Sequence, residues 1–176
     1  MGKLIYSLAM SLDNKIAKPD GDVDWLQKIP NPDQSDYGFN NFFNSVHTTI
    51  MGFNTYEIIS GFDVEWPYKE KTSYVFTNKN KLPNDPNVTF INEKHIAFLK
   101  DLKDRERDDI WLVGGGMLAT ELFNQKLIDQ FLLHIMPIIL GKGVPFILPN
   151  ADEKMINLIT SKAYNSGVIE TLYKVV

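Results

Sequence analysis

The chain has 176 residues, a length that suits one globular domain over residues 1–176 and leaves little room for two. Hydrophobic residues make up 44% and charged residues 23%, close to the soluble-globular average, which excludes general disorder. Acidic residues outnumber basic ones by 22 to 18, and the net charge of -4 argues against nucleic acid, whose binding wants a basic face to displace counterions. The absence of cysteine excludes disulfides, thiolate nucleophiles and thiolate metal sites. No apolar run approaches the roughly 20 residues of a membrane helix, and Met1 to Ser7 turns polar too soon for a signal peptide. A cytoplasmic protein with neither nucleic-acid nor membrane partners is expected.

Leu4 to Met10 is a short apolar run that reads as a buried strand. A long polar loop from Asp13 to Asp33 follows, and loops of that length are often functional. Asn31-Pro32 has the chemistry of a helix start, with Asp33 and Asp36 in the first turn and Phe39, Phe42, Phe43 and Val46 on one face. Thr48 to Met51 predicts a strand stopped by Gly52, then a short helix from about Asn54 to Ser60. Further strands are expected at Thr72 to Thr77 and Val88 to Ile91. A helix carries Ile96, Leu99 and Leu102, and the charged run Lys100 to Asp109 reads as its solvated face and turn. Ile110 to Val113 predicts a buried strand broken by three glycines, and Leu118, Leu122 and Phe123 mark the next helix. Gln130 to Leu140 reads as a long central strand, and Ile156 to Ile159 and Val168 to Tyr173 as the last strands, with hairpin chemistry at Asn165-Ser166-Gly167. Strands alternating with helices, then strands alone, imply a mainly parallel sheet with antiparallel strands at the C-terminal end.

Three segments sit at the carboxyl ends of predicted strands, where open parallel sheets bind ligands. Gly114-Gly115-Gly116 opens a helix, leaving free N–H groups at its positive end and no Cβ to keep a pyrophosphate away; the same glycines also suit a tight turn. Gly52-Phe53-Asn54-Thr55 repeats that build, with Asn54 or Thr55 placed to cap the helix and donate to a phosphate. Thr77-Asn78-Lys79 adds polar donors and one cation. Each is ordinary turn chemistry alone; together they describe one groove for an extended phosphate ligand. His47, His95 and His134 lack metal spacing, and His134 in an apolar strand reads as a hydrogen-bonded core residue, so no metal is expected.

These segments occur in a familiar order. Ser7 to Ala17, S-L-A-M-S-L-D-N-K-I-A, resembles the opening A-x-S-L-D-G-K-I-A of the dihydrofolate reductase-like superfamily. Met51 to Glu57 resembles its M-G-R-x-T-Y-E, and Val113 to Gly116 its V-G-G-G. Leu127-Ile128-Asp129, with Pro137 to Phe146, resembles a segment typical of the branch sharing the reductase domain of bifunctional riboflavin-biosynthesis enzymes. The resemblance implies an α/β, dihydrofolate reductase-like fold: a mainly parallel central sheet, antiparallel C-terminal strands and helices on both faces. It also implies NADPH as cofactor. Ala9, Ile16 and Ala17 would line the nicotinamide; Gly52, Phe53, Asn54 and Thr55, with Val113, Gly114, Gly115, Gly116, Met117 and Leu118, would hold the pyrophosphate; Thr77, Asn78 and Lys79 would lie near the adenosine ribose. The branch pairs its subunits through the C-terminal part of the sheet, so a homodimer is expected, with Phe131 to Ile139 as a candidate contact.

The chain departs from the pattern at four places. Phe53 stands where the family has Arg, which leaves Lys79 to read a 2′-phosphate, since the only arginines are Arg105 and Arg107 in the charged run. Asn14 replaces a glycine, and Ala119 stands where folate reductases carry an aromatic. The D-N-P-x-L-T-x-R substrate segment of the riboflavin enzymes is missing from Glu57 to Lys71. Asp36 precedes Met51-Gly52 by the spacing of the substrate carboxylate in folate reductases, which makes it the candidate catalytic acid; its other reading is a first-turn acid on the helix dipole. Phe39 and Trp25 are substrate-side candidates, Trp25 equally a packing anchor. The expected function is an NADPH-dependent reductase of a small planar nitrogen heterocycle, pterin- or pyrimidine-like. The alternatives are an NAD(P)H reductase of another small molecule and a nucleotide-binding protein without catalysis.

Overall fold

Short β-branched and apolar runs pair here into one sheet because each can bury both faces only between two layers of helices. The structure, a computed structural model, describes residues 2–176, so Met1 lies outside it. In chain order the elements are β1 (Leu4–Ser11), β2 (Lys15–Ala17), a 3-10 turn (Asp24–Lys28), α1 (Phe39–Ser45), β3 (Val46–Gly52), α2 (Phe53–Ser60), β4 (Thr72–Phe76), β5 (Thr89–Ile91) and α3 (His95–Arg105). They continue with β6 (Asp109–Gly114), α4 (Gly116–Asn124), β7 (Gln130–Met136), β8 (Val144–Pro145), β9 (Ile156–Ala163) and β10 (Ile169–Val175). Among the described residues, eight strands form one sheet in the order β5-β4-β3-β6-β1-β7-β10-β9, and β2 pairs with β8 separately. The first six of these strands run parallel; β10 is antiparallel to β7 and β9 to β10.

The two faces follow the strand period of two. Ile110 and Leu112 of β6 and Phe131 and Leu133 of β7 pack with Leu99 and Leu102 of α3 and Leu122 and Phe123 of α4. Trp111 and Val113 point the other way, to Tyr56 and Ile59 of α2 and Phe42 and Phe43 of α1. A third cluster of Trp25, Met136 and Val168 closes the end beyond β7.

Four local expectations need correction. The helix begins at Phe39 rather than Pro32, because Gln34 and Tyr37 have φ of 49° and 54° and Asn31 instead closes a turn on Ser35 through both side-chain atoms, at 2.8 and 2.9 Å. The strand from Gln130 stops at Met136, where Pro137 removes a ladder donor. It is paired on both sides, with β1 and β10, so Phe131 to Met136 has no free edge to offer a second subunit. The charged run is not wholly solvated: Lys103 is buried, its ammonium donating to Leu127 O at 2.8 Å and Asp129 at 2.6 Å.

Candidate active site

Strand order decides where a ligand can lie. The chain leaves β3 through α2 toward β4 on one side and leaves β6 through α4 toward β7 on the other, so the neighbouring ends of β3 and β6 form a switch point, the crevice where open α/β sheets bind ligands. The helices start side by side. A Cβ on Gly52 would lie 3.9 Å from Gly115 N and 3.8 Å from Leu118 Cβ, and one on Gly115 would lie 3.2 Å from Thr55 Oγ1. Gly52 and Gly115 are the N-cap residues of α2 and α4, and no side chain caps either helix. Asn54 and Thr55 therefore sit inside the first turn of α2 instead of capping it. Two sets of helix N–H groups are left for an anion.

The three glycines differ in role. Gly115 faces the crevice beside Thr55, whereas a Cβ on Gly116 would lie 2.1 Å from Pro145 O, so Gly116 is kept small by β8 and not by a phosphate. Met117 is exposed, Leu118 is buried in the core and has only its backbone to offer a ligand, and Val113 packs on the α1/α2 side. At the end of β4, Thr77 is buried and accepts the Lys79 N–H at 3.0 Å, with Asn78 exposed between them. The Lys79 ammonium lies 3.8 Å from the centre of the Phe53 ring and 3.3 Å from Glu57 Oε1. The cation thus sits over the residue that replaces the family's arginine.

Beside this crevice, between α1 and the ends of β1, β6 and β7, lies a cavity of about 240 Å³. Ala9 and Met136 form its inner side, Phe39 and Trp111 an aromatic wall with rings 5.9 Å apart, and His134, Asp36 and Tyr37 bring its ionisable groups. The indole N–H of Trp111 is spent on Ser7 O at 3.0 Å, so Trp111 can offer the cavity only apolar ring surface. Leu132, His134 and Met136 share this lining because alternate residues of β7 point one way.

Asp36 reaches the cavity but not as a buried acid. It is exposed, and its carboxylate accepts the N–H groups of Gly38 at 3.0 Å and Asn40 at 3.1 Å, which hold its carboxyl below the usual carboxylate range. It is an ionised acceptor that caps α1, so the role of proton donor does not fit it. Trp25 is only 1% exposed and packs with Met136 and Val168, a core anchor with no face for a substrate. Ile16 and Ala17 lie on β2, outside the cavity lining: Ile16 packs toward the α3/α4 core and Ala17 pairs with Val144. His134 and Trp111 are the lining residues that sequence reasoning placed in the core; their period-two positions near strand ends were the available signal.

The profile of the RibD C-terminal domain matches residues 2–169. The uncharacterized protein YwjB of Bacillus subtilis is 36% identical over 166 residues, covering 94% of each chain. The chain belongs to the RibD C-terminal domain family. Its fold is accordingly dihydrofolate reductase-like. A candidate riboflavin biosynthesis protein from Shewanella sp. PV-4 superposes on this RibD C-terminal domain protein with a TM-score of 0.88 and 28% identity, covering 100% of this chain and 99% of that one. Dihydrofolate reductase from Enterococcus faecalis, solved with NADP(H), shares the fold at a TM-score of 0.69 and 18% identity, over 99% of this chain and 96% of its own.

Proposed function

We propose that the protein is an NADPH-dependent reductase of a small planar nitrogen heterocycle that carries no phosphate. The observation that supports it best is the pair of uncapped helix starts at the β3/β6 switch point, beside a cavity walled by aromatic rings. The N–H groups of α2 and α4 would hold the pyrophosphate and Lys79 the adenosine end, with Ala9 under the nicotinamide. A bound reduced nicotinamide supplies a hydride. The chain's own part is to orient the acceptor against the aromatic wall of Phe39 and Trp111, exclude water and deliver a proton. Neither arginine serves a substrate phosphate: Arg105 ends α3 and Arg107 precedes β6, both at the amino end of that strand and away from the glycines at its carboxyl end, and no lysine lines the cavity.

Titration with NADPH and NADH tests the cofactor assignment. Gly115→Asp sets a negative charge against the pyrophosphate and is expected to abolish most NADPH binding in a folded protein; unchanged affinity would refute this placement. Lys79→Ala is expected to weaken NADPH roughly tenfold and NADH little, as for one exposed charge-assisted contact already shared with Glu57. Equal losses would show that Lys79 does not read the 2′-phosphate. Stopped-flow hydride transfer to pterins, pyrimidines and simple imines separates a reductase from a nucleotide-binding protein without catalysis.

A further inference from the structure

Hydride addition to a C=N bond leaves an electron pair on nitrogen that must capture a proton. With Asp36 ionised and exposed, the cavity's other titratable groups are Tyr37 and His134, and of the two side-chain types only imidazole ordinarily titrates near neutral pH. His134 lies in the row Ala9–His134–Glu170 across β1, β7 and β10, and its side chain is 12% exposed. Its Nε2 is 2.9 Å from Tyr37 O and 3.4 Å from Glu170 Oε2. A carbonyl only accepts, so Nε2 carries a hydrogen, and Nδ1 is the ring nitrogen left for a ligand. Glu170 is held in turn by the Tyr164 hydroxyl, which donates to Oε2 at 2.8 Å. The titratable and charged groups around the ring are therefore Glu170 and, in the next strand, Lys162 from the sheet, Tyr37 and Asp36 from the segment before α1, and Tyr164 from the hairpin.

Resting on the reductase reading above, we propose that His134 is the catalytic proton donor of this cavity and Glu170 its positioning residue. Hydride forms a C–H bond at the acceptor carbon as the π pair of C=N moves to nitrogen. That nitrogen takes the proton from Nδ1, the imidazolium becomes neutral imidazole, and the nicotinamide hydride donor is left oxidised. A solvent proton then restores the imidazolium. Imidazole suits this cycle because the ordinary titration of that side chain lies between pH 5 and 8.

The test uses protein labelled with 15N-histidine, in which the three histidines give separable ring signals and His134→Gln assigns one set. Pterin, lumazine and 5-aminouracil are the probes. A bound probe is expected to shift the His134 ring nitrogens and leave His47 and His95 in place. In single-turnover reduction with NADPH, His134→Gln should slow hydride transfer about 100-fold or more and remove the fall in rate at rising pH, while NADPH affinity and the circular dichroism spectrum stay unchanged. Glu170→Gln should change the His134 ring nitrogen signals and slow hydride transfer, and Glu170→Asp should recover part of the rate. A full rate with an unchanged pH profile in His134→Gln, or probes that bind without moving the His134 ring, would overturn the proposal. Ring shifts in a wild type that transfers no hydride would instead overturn the reductase reading, leaving His134 as a ligand contact.

Discussion

Asp13 shows how one carboxylate can hold two distant segments. It accepts the Ser11 hydroxyl at 2.6 Å and the N–H groups of Leu140 and Gly141 at 2.9 and 2.7 Å, and these bonds hold its carboxyl down to about 2. A depressed carboxyl contributes stability that is complete above the ordinary value of about 4 and is lost as the pH falls toward about 2. Asp13→Asn is therefore expected to speed amide exchange at Leu140 and Gly141 at neutral pH. It should also flatten the acid-unfolding curve between about pH 4 and 2; an unchanged curve would show that the clamp contributes nothing. Residue types at this scale were legible, but partners were not. Asp36 could be read as a polar residue near a ligand, whereas His134 read as a hydrogen-bonded core residue. The partners of each lie elsewhere in the chain: N–H groups from Gly38 and Asn40 for Asp36, and a carbonyl 97 residues away for His134.

At the scale of elements, the strand-glycine-helix junctions were the most legible part of the site, because few patterns other than a close backbone approach need three glycines in a row. Their division of labour was hidden, since Gly116 is constrained by Pro145 from β8, a strand of two residues with no periodic signal. Gly116→Ala is expected to destabilise by about 1–3 kcal/mol, because backbone must move to admit the methyl group. Gly115→Ala should melt close to wild type, since the Thr55 hydroxyl needs to yield only a few tenths of an ångström. Equal melting temperatures for the two variants would contradict this contrast. The start of α1 was misread for a related reason: Pro32 looked like a first helical residue, but the Asn31 side chain competes for the backbone and closes a turn.

For the whole molecule, the alternation of strands and helices foretold the parallel sheet and its antiparallel end, whereas the order of strands needed the structure, because periodicity carries no address. That order also moves the expected subunit contact. With β7 enclosed, the free edge at the C-terminal end of the sheet is β9, where Ile156, Leu158 and Ile159 are 37%, 54% and 47% exposed along a strand of 8 residues. A long apolar edge invites pairing with another chain. We propose a homodimer closed at β9. Light scattering at micromolar concentration should give twice the chain mass, and Leu158→Glu should halve it; a monomeric wild type would refute the proposal.

Of the strands in this sheet, the one made first is among the last that can be completed. β1 lies between β6 and β7, and β6 begins only at Asp109. On a ribosome adding about 5–20 residues per second, Leu4 to Met10 must wait several seconds for either neighbour, its backbone unpaired and its apolar side chains uncovered. Chains interrupted before β7 expose that segment permanently, so the yield of soluble protein should depend on holdase chaperones more than the stability of the finished fold would imply.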